Sequence, residues 1–396
     1  MMMRMMNRRL LLLTLCQGLL MVNNVVFIAI NGLVGLALAP TGWMATLPIT
    51  GYVAGGAIAT GLVARHQRRF GRQRAFQIGL GVAIASAGVC AYAAMSRNFG
   101  LLCAATLVAG YYNANGSLYR FASVELVAPV FKERAISWVL AGGIIGGVVG
   151  PNLASWSRNV LSQPFAGAYV ALMGVAALSL LLMQFITFPP LPGQGQTHRQ
   201  GRPLGEIVRQ PLFIIAALAC AIGYGVMNLL MAATPIAMQQ CGHPFSAAAL
   251  VLEWHVLGMY VPSFFTGRLI KRLGVLPVMV AGLLLNIGCV AMALNGVDLM
   301  HFVGALLLLG VGWNFLYIGG STLATEAWAP EEKTRAQAAL DFCVYATMTV
   351  TSFSSGALVT TGGWTAMNQG SLLPIAVLAA TLVWLARMRR PVSAAM

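Results

Sequence analysis

Apolar runs of about 20 residues recur along the whole chain, and a run of that length matches the hydrocarbon core of a bilayer. They fall at residues 10–37, 43–64, 75–95, 99–120, 134–157, 165–187, 211–238, 246–270, 275–295, 300–323, 335–361 and 365–387. The pattern predicts an all-α integral membrane protein with twelve transmembrane helices. Composition excludes a soluble domain, since 59% of the 396 residues are hydrophobic and 8% are charged. The basic lead Met1–Arg9 runs directly into the first apolar segment, so no cleavable signal peptide is expected.

The charges sort by side. Formal net charge is +15, which would suit a nucleic-acid partner, but the basic residues are confined to alternate loops. Of the 24 Lys and Arg residues, 22 fall in the loops on the side of the termini, and only Arg97 and Arg158 fall on the other. Lys and Arg accumulate on the cytoplasmic side of membrane proteins. The expectation is therefore both termini in the cytoplasm, a bacterial cytoplasmic (inner) membrane location, the lipid bilayer as surroundings and no nucleic acid. The seven cysteines are irregularly spaced and form no C-x-x-C, so no disulfide framework is inferred.

The stretch Pro189–Pro203 is rich in Pro, Gly and Gln and reads as a linker. It divides the chain into a first six-helix bundle at 1–188, a cytoplasmic linker at 189–208 and a second bundle at 209–396. The halves repeat. Glu125 and Arg134-Ala135 recur as Glu326 and Arg335-Ala336, and Arg68-Arg69-Phe70-Gly71 recurs as Lys271-Arg272-Leu273-Gly274. A repeat at half the chain length with matching topology reads as two parallel halves.

Two four-step pairs stand on neighbouring segments. Met227-x-x-x-Met231 and His255-x-x-x-Met259 each place two side chains on one helix face. Counted outward from the polar stretch Gln239–Pro244, both pairs lie at a similar depth, the level of transporter substrate sites. Thioether and imidazole are soft neutral donors that suit copper. Met in an apolar helix also serves as packing, whereas a His inside such a segment is a functional candidate. Cys241 and His243 lie in the joining loop and are either accessory copper-capturing groups or plain loop residues. Glu253 and Asp341 lie inside apolar segments, and either could carry a coupling proton. Glu253 could equally orient the His255 ring from a second shell. Glu125 and Glu326, near basic residues at helix ends, read as parts of a structural charge network.

Over its whole length the chain resembles the major facilitator superfamily. The loop Arg68-Arg69-Phe70-Gly71-Arg72-Gln73-Arg74 is similar to the family's G-x-x-x-D-R-x-G-R-[RK] signature, and Gly267-Arg268-Leu269-Ile270-Lys271-Arg272-Leu273-Gly274 is its second copy. The usual acid is replaced by Arg68 and Lys271, and the leading glycine of the first copy by Ala64. The resemblance implies two pseudo-symmetric six-helix bundles and a conformational-switch role for Arg68, Arg69, Gly71, Arg72, Arg74, Gly267, Lys271, Arg272 and Gly274. Within the superfamily, the Met and His pairs resemble the CcoA-like copper importers of proteobacteria. That implies copper as transported substrate, with Met227, Met231, His255 and Met259 as its ligands and Cys241 as a counterpart in the joining loop.

The expected function is thus non-enzymatic: a secondary importer of copper, working by alternating access and supplying cbb3-type cytochrome oxidase assembly. No resident cofactor is implied. A cytoplasmic copper chaperone or exporter is the possible protein partner. The alternative is an importer of riboflavin or another small organic solute, for which Trp254, Tyr260, Trp313 and Tyr317 could stack on a flat ring. A multidrug exporter and a copper-holding assembly factor stand further back.

Overall fold

A computed structural model describes residues 7–128, 131–189, 201–329 and 331–389. Most of the predicted linker, 190–200, lies outside the described residues. Among the described residues every regular element is helical. The main ones are α1 (Arg8–Leu38), α2 (Leu47–Met95), α3 (Phe99–Gly116), α4 (Lys132–Ala141), α5 (Gly143–Ser157) and α6 (Ala166–Gln184) in the first half. The second half has α7 (Pro211–Gln240), α8 (Phe245–Tyr260), α9 (Ser263–Leu273), α10 (Val275–Asn295), α11 (Leu299–Ala324) and α12 (Lys333–Met388). Eight described helices are long and apolar enough to cross a membrane, or nine if the bent pair α8–α9 counts as one span.

Each predicted segment lies largely within a helix, but the breaks differ from those expected. The arginine-rich stretch 65–74 reads as a loop and is instead helical on both sides of a single residue. Gly71 interrupts α2 with φ 77° and ψ 169°, and Gly363 interrupts α12 with φ 71° and ψ −174°. Positive φ with extended ψ is essentially glycine-only, while the arginines around Gly71 are good helix formers. One residue therefore makes the turn. The predicted helix 246–270 bends by 41° between α8 and α9, where Pro262 has no N–H to continue the ladder. A buried clasp covers the bend: Asn314 Nδ2 donates to the Met259 carbonyl (2.7 Å) and to Ser263 Oγ (2.7 Å), and Thr266 Oγ1 donates to Asn314 Oδ1 (2.7 Å).

Helices up to Gln184 pack mainly among themselves, as do those from Pro211 onward. Small residues allow the close approaches. A methyl group on Gly310 would strike the His255 carbonyl at 2.4 Å, so α8 and α11 touch backbone to backbone. The halves meet through α5 on α8, α1 on α7 and the start of α2 on α12. These contacts gather at the end opposite the arginine-rich loops. There Thr46 Oγ1 donates to the Ser352 carbonyl (2.6 Å) and accepts from the Gly356 N–H (3.0 Å). Trp43 meets Phe353 edge-on at 5.8 Å, Phe165 meets Phe245 at 4.8 Å, and Asn152 Nδ2 donates to Glu253 Oε2 at 3.2 Å. At the arginine-rich end the pairs Arg72–Glu125 and Arg389–Glu326 each stay within one half, and Arg202 of the linker binds Glu332 of the second. Among the described residues, these contacts seal the bundles together at the end away from the arginine-rich loops.

Candidate functional site

The residues best placed to meet a solute lie near the helix midpoints, where the halves face each other. Trp313 and Tyr317, one turn apart on α11, stack with ring centroids 5.2 Å apart and planes 10° apart. Tyr224 of α7 meets both edge-on, at 5.2 and 5.4 Å, and Tyr260 of α8 meets Trp313 at 6.3 Å. Tyr260 Oη also donates to Met21 Sδ of α1 at 3.3 Å, a contact between halves. Trp313 is buried, while Tyr224, Tyr260 and Tyr317 are half-buried. The Trp313 Nε1–H has no hydrogen-bond partner. A buried donor without a partner is costly, so this one is available to a ligand.

Charge faces the same cluster. Arg120, in the short helix Tyr119–Ala122 of the first half, lies close to Tyr317, Asp341 and Tyr345 of the second. Its Nε is buried without a hydrogen-bond partner. Charge sorting placed Arg120 on the cytoplasmic side. The structure shows its side chain turned toward the second half, from the short run Tyr119–Leu126 that follows the end of α3 at Gly116. Asp341, expected inside a helix, is half-buried on α12. The cluster therefore offers a stacked aromatic pair, a cation, an acid and N–H groups without partners.

The predicted metal ligands are placed around the same helix. Residues 220, 224, 227 and 231 lie within about 60° of arc on α7, at 100° per residue. Cys220 and Tyr224 on that face contact α11, so Met227 and Met231 also face it. His255 faces α11 from α8: its Nδ1–H donates to the Leu306 carbonyl at 2.7 Å. The carbonyl can only accept, which fixes the tautomer and leaves Nε2 as a lone pair. Nε2 is buried and without a partner. Met227, Met231 and Met259 are each at most 5% exposed. Among the described residues no group of three or more His, Cys, Asp or Glu side chains comes together, so any metal site here depends on thioethers.

Glu253 does not hold the His255 ring. Residues two apart on a helix point to different sides, and Glu253 accepts from Asn152 instead. Of the loop pair, Cys241 is exposed, whereas His243 is half-buried and bonded through Nε2 to the Val297 carbonyl at 2.7 Å. Partial desolvation holds the Cys241 thiol above its ordinary range, which disfavours the thiolate that binds metal. Among the described residues, Arg72 is the one named switch-loop arginine that forms an ion pair. It grips Glu125 through Nη2 (2.8 Å) and Nε (3.1 Å) and reaches Gln67 through Nη1 (2.9 Å).

The sequence reading missed Arg120, Tyr224, Tyr345 and Asn314. For Tyr224 the signal was present, since it shares the helical face of Met227 and Met231. For Asn314 it was the presence of an amide in an apolar run.

Comparison with known proteins agrees with this architecture. The chain is similar to riboflavin transporter RfnT of Brucella anthropi, with 38% identity over 365 residues, 91% of each chain. It is 25% identical over 358 residues to the uncharacterized transporter YddS of Bacillus subtilis, covering 86% of this chain and 82% of that one. Among solved structures it resembles nucleoside transporter NupG, with TM-score 0.71, 12% identity and 97% and 100% of the two chains covered. A bacterial homologue of the human lysosomal transporter Spinster, solved inward-facing and occupied, matches with TM-score 0.72, 16% identity and 96% of both chains covered. These distant likenesses concern the fold alone. The model of the Major Facilitator Superfamily matches residues 10–253 and 223–395, and the chain belongs to that superfamily.

Proposed function

We propose that this transporter imports a flat organic solute, riboflavin first among them, across the bacterial cytoplasmic membrane. In this reading the two halves, 1–188 and 209–396, rock about the central cluster. The twelve segments each cross the bilayer, and both termini lie on the arginine-rich, cytoplasmic side. The observation that carries the reading is the similarity to a riboflavin transporter over nine-tenths of both chains. The geometry is compatible. A tricyclic ring can extend the Trp313–Tyr317 stack, and its polar edge can accept from Arg120 and Trp313 Nε1–H. Aromatic stacking contributes about 0.5–1.5 kcal/mol beyond burial. Trp313→Leu is therefore expected to raise the KM for riboflavin uptake by about fivefold or more, measured with labelled riboflavin in cells lacking their own uptake system.

A second reading, copper import, is favoured by one specific observation. His255 is buried with Nδ1 bonded to a carbonyl and Nε2 open. Metal-binding histidines are usually held this way. Met227, Met231 and Met259 would complete a soft, neutral ligand set for Cu(I). Copper as substrate, the supply of copper to cytochrome oxidase and a copper-handling partner all belong to this reading. One experiment separates the two: uptake of labelled copper and of riboflavin, by wild type and by a His255→Ala, Met227→Leu double variant. Copper uptake lost in the variant supports the soft site. Riboflavin uptake that survives, with no copper signal in either strain, leaves the methionines as packing.

A further inference from the structure

Only two basic residues fall on the side away from the arginine-rich loops, and the structure brings both to one cavity. Arg97 follows α2 and Arg158 follows α5, and they line a space of about 280 Å3 between the two halves. That is ample room for one hydrated oxyanion. The first half contributes Arg97, Arg158 and Gln163, and the second contributes Gln239 and His243. No Asp or Glu lines the cavity, and none of the ion pairs found among the described residues includes either arginine. Arg158 lies over the Phe165 and Phe245 rings, 5.2 and 5.9 Å from their centroids, and its Nε is buried without a hydrogen-bond partner.

The backbone adds an independent observation. Among the described residues only Arg97 and Phe165 are non-glycine residues with positive φ, 53° and 66°, and both line this cavity. Arg97 closes α2 in the left-handed conformation, where glycine or asparagine is usual. Strained positions persist when surroundings enforce them, and they cluster at ligand sites.

We infer that this cavity binds a small oxyanion, a phosphate or a carboxylate, and that its occupant staples the two halves together at the sealed end. Guanidinium groups match oxyanions with paired donors, and the side chains of Arg97 and Arg158 both line this space. Because the walls come from both halves, the full donor set exists only while this end is shut. An anion bound there therefore favours the closed arrangement by its differential affinity. The inference rests on the packing of the two halves and does not depend on which solute is carried.

The test uses the purified full-length protein in nanodiscs of zwitterionic lipid. Thermal unfolding is followed against sodium phosphate, with sodium chloride at matched ionic strength as reference. Phosphate should stabilise the wild type, and its apparent affinity should fall about tenfold in Arg158→Gln, the loss of one charge-assisted bond. Arg97→Gly keeps the positive φ while removing the guanidinium. It should fold as well as the wild type and bind phosphate more weakly. Repeating the series with phosphatidylglycerol in the disc identifies the source. A lipid headgroup would stabilise the wild type and leave little further effect of free phosphate, whereas a free ion would act in both discs. Spin labels at Thr41→Cys and Thr361→Cys, with accessible native cysteines replaced, report the separation of the halves. Phosphate should enlarge the short-distance population in the wild type but not in the Arg97→Gly, Arg158→Gln double variant. Stabilisation equal in wild type and double variant, or absent with both phosphate sources, would overturn the site. A distance distribution indifferent to bound phosphate would overturn the staple.

Discussion

The two switch loops share a backbone and differ in their charges. Gly71 and Gly274, equivalent in the internal repeat, have φ 77° and ψ 169°, and φ 90° and ψ 163°. The first loop's Arg72 then grips Glu125, whose equivalent is Glu326. In the second loop the residue after Gly274 is Val275, so Glu326 has no such arginine. It pairs instead with Arg389 beyond α12, while Glu332 takes Arg202 from the far end of the linker. The turn geometry was kept in both halves while the electrostatic partner was reassigned. Backbone conformation at a positive-φ glycine tolerates few substitutes, whereas an acid near a helix end can be satisfied by any arginine within reach.

The largest effect should come from the shared feature. Gly71→Val and Gly274→Val should each lower stability by about 1–3 kcal/mol, read as a fall in the unfolding midpoint in detergent. A Cβ at Gly71 meets nothing within 4 Å, and one at Gly274 meets only Pro277 at 3.8 Å, so the cost is conformational and should be similar in both copies. Full tolerance at either position would break the equivalence. The ion pairs should then separate the halves. Arg72 and Glu125 are 16% and 24% exposed, and Arg389 and Glu326 are 38% and 48% exposed. A double-mutant cycle should give a coupling of about 1–2 kcal/mol for the first pair, between the exposed and buried cases. For the second pair it should be below about 1 kcal/mol. Equal couplings would mean that burial does not distinguish them.

The smallest effect is expected from acid. Arg202, together with the Ala329 and Arg202 N–H groups, holds the Glu332 carboxyl down to about 2. A depressed carboxyl contributes its full stabilisation above its ordinary value near 4.5 and loses it progressively as pH falls from there through about 2. Hydrogen exchange of residues 201–210, corrected for intrinsic rate, should therefore be unchanged between pH 7 and about pH 5.5 and should rise below about pH 4.5. Glu332→Gln should raise it throughout that range.

The all-helical fold was legible because lipid imposes a single length on apolar runs, and each run became helix. The turns were less so. Charge at 65–74 suggested a loop, but arginine does not end a helix, and only Gly71 does. At the centre, the helical phase of Met227, Met231 and His255 was readable from spacing. The partner of the His255 ring was not, because Leu306 lies 51 residues away and contributes only a backbone carbonyl. The inward reach of Arg120 was not legible for a related reason. Sorting by charge says on which side of a membrane an arginine starts, not where its long side chain ends.

The Thr46 hydroxyl at the sealed end has one more implication. Its two partners, the Ser352 carbonyl and the Gly356 N–H, are four residues apart on α12. In an uninterrupted helix those same two groups bond to each other. The hydroxyl therefore borrows groups that the helix can pair by itself, and a methyl group on Gly356 would keep it out, since it would meet Thr46 Oγ1 at 2.3 Å. When the halves part, Ser352 and Gly356 still have each other as helical partners, so neither group is left bare. This allows a transporter to break such a contact in every cycle without stranding polar groups in an apolar interior.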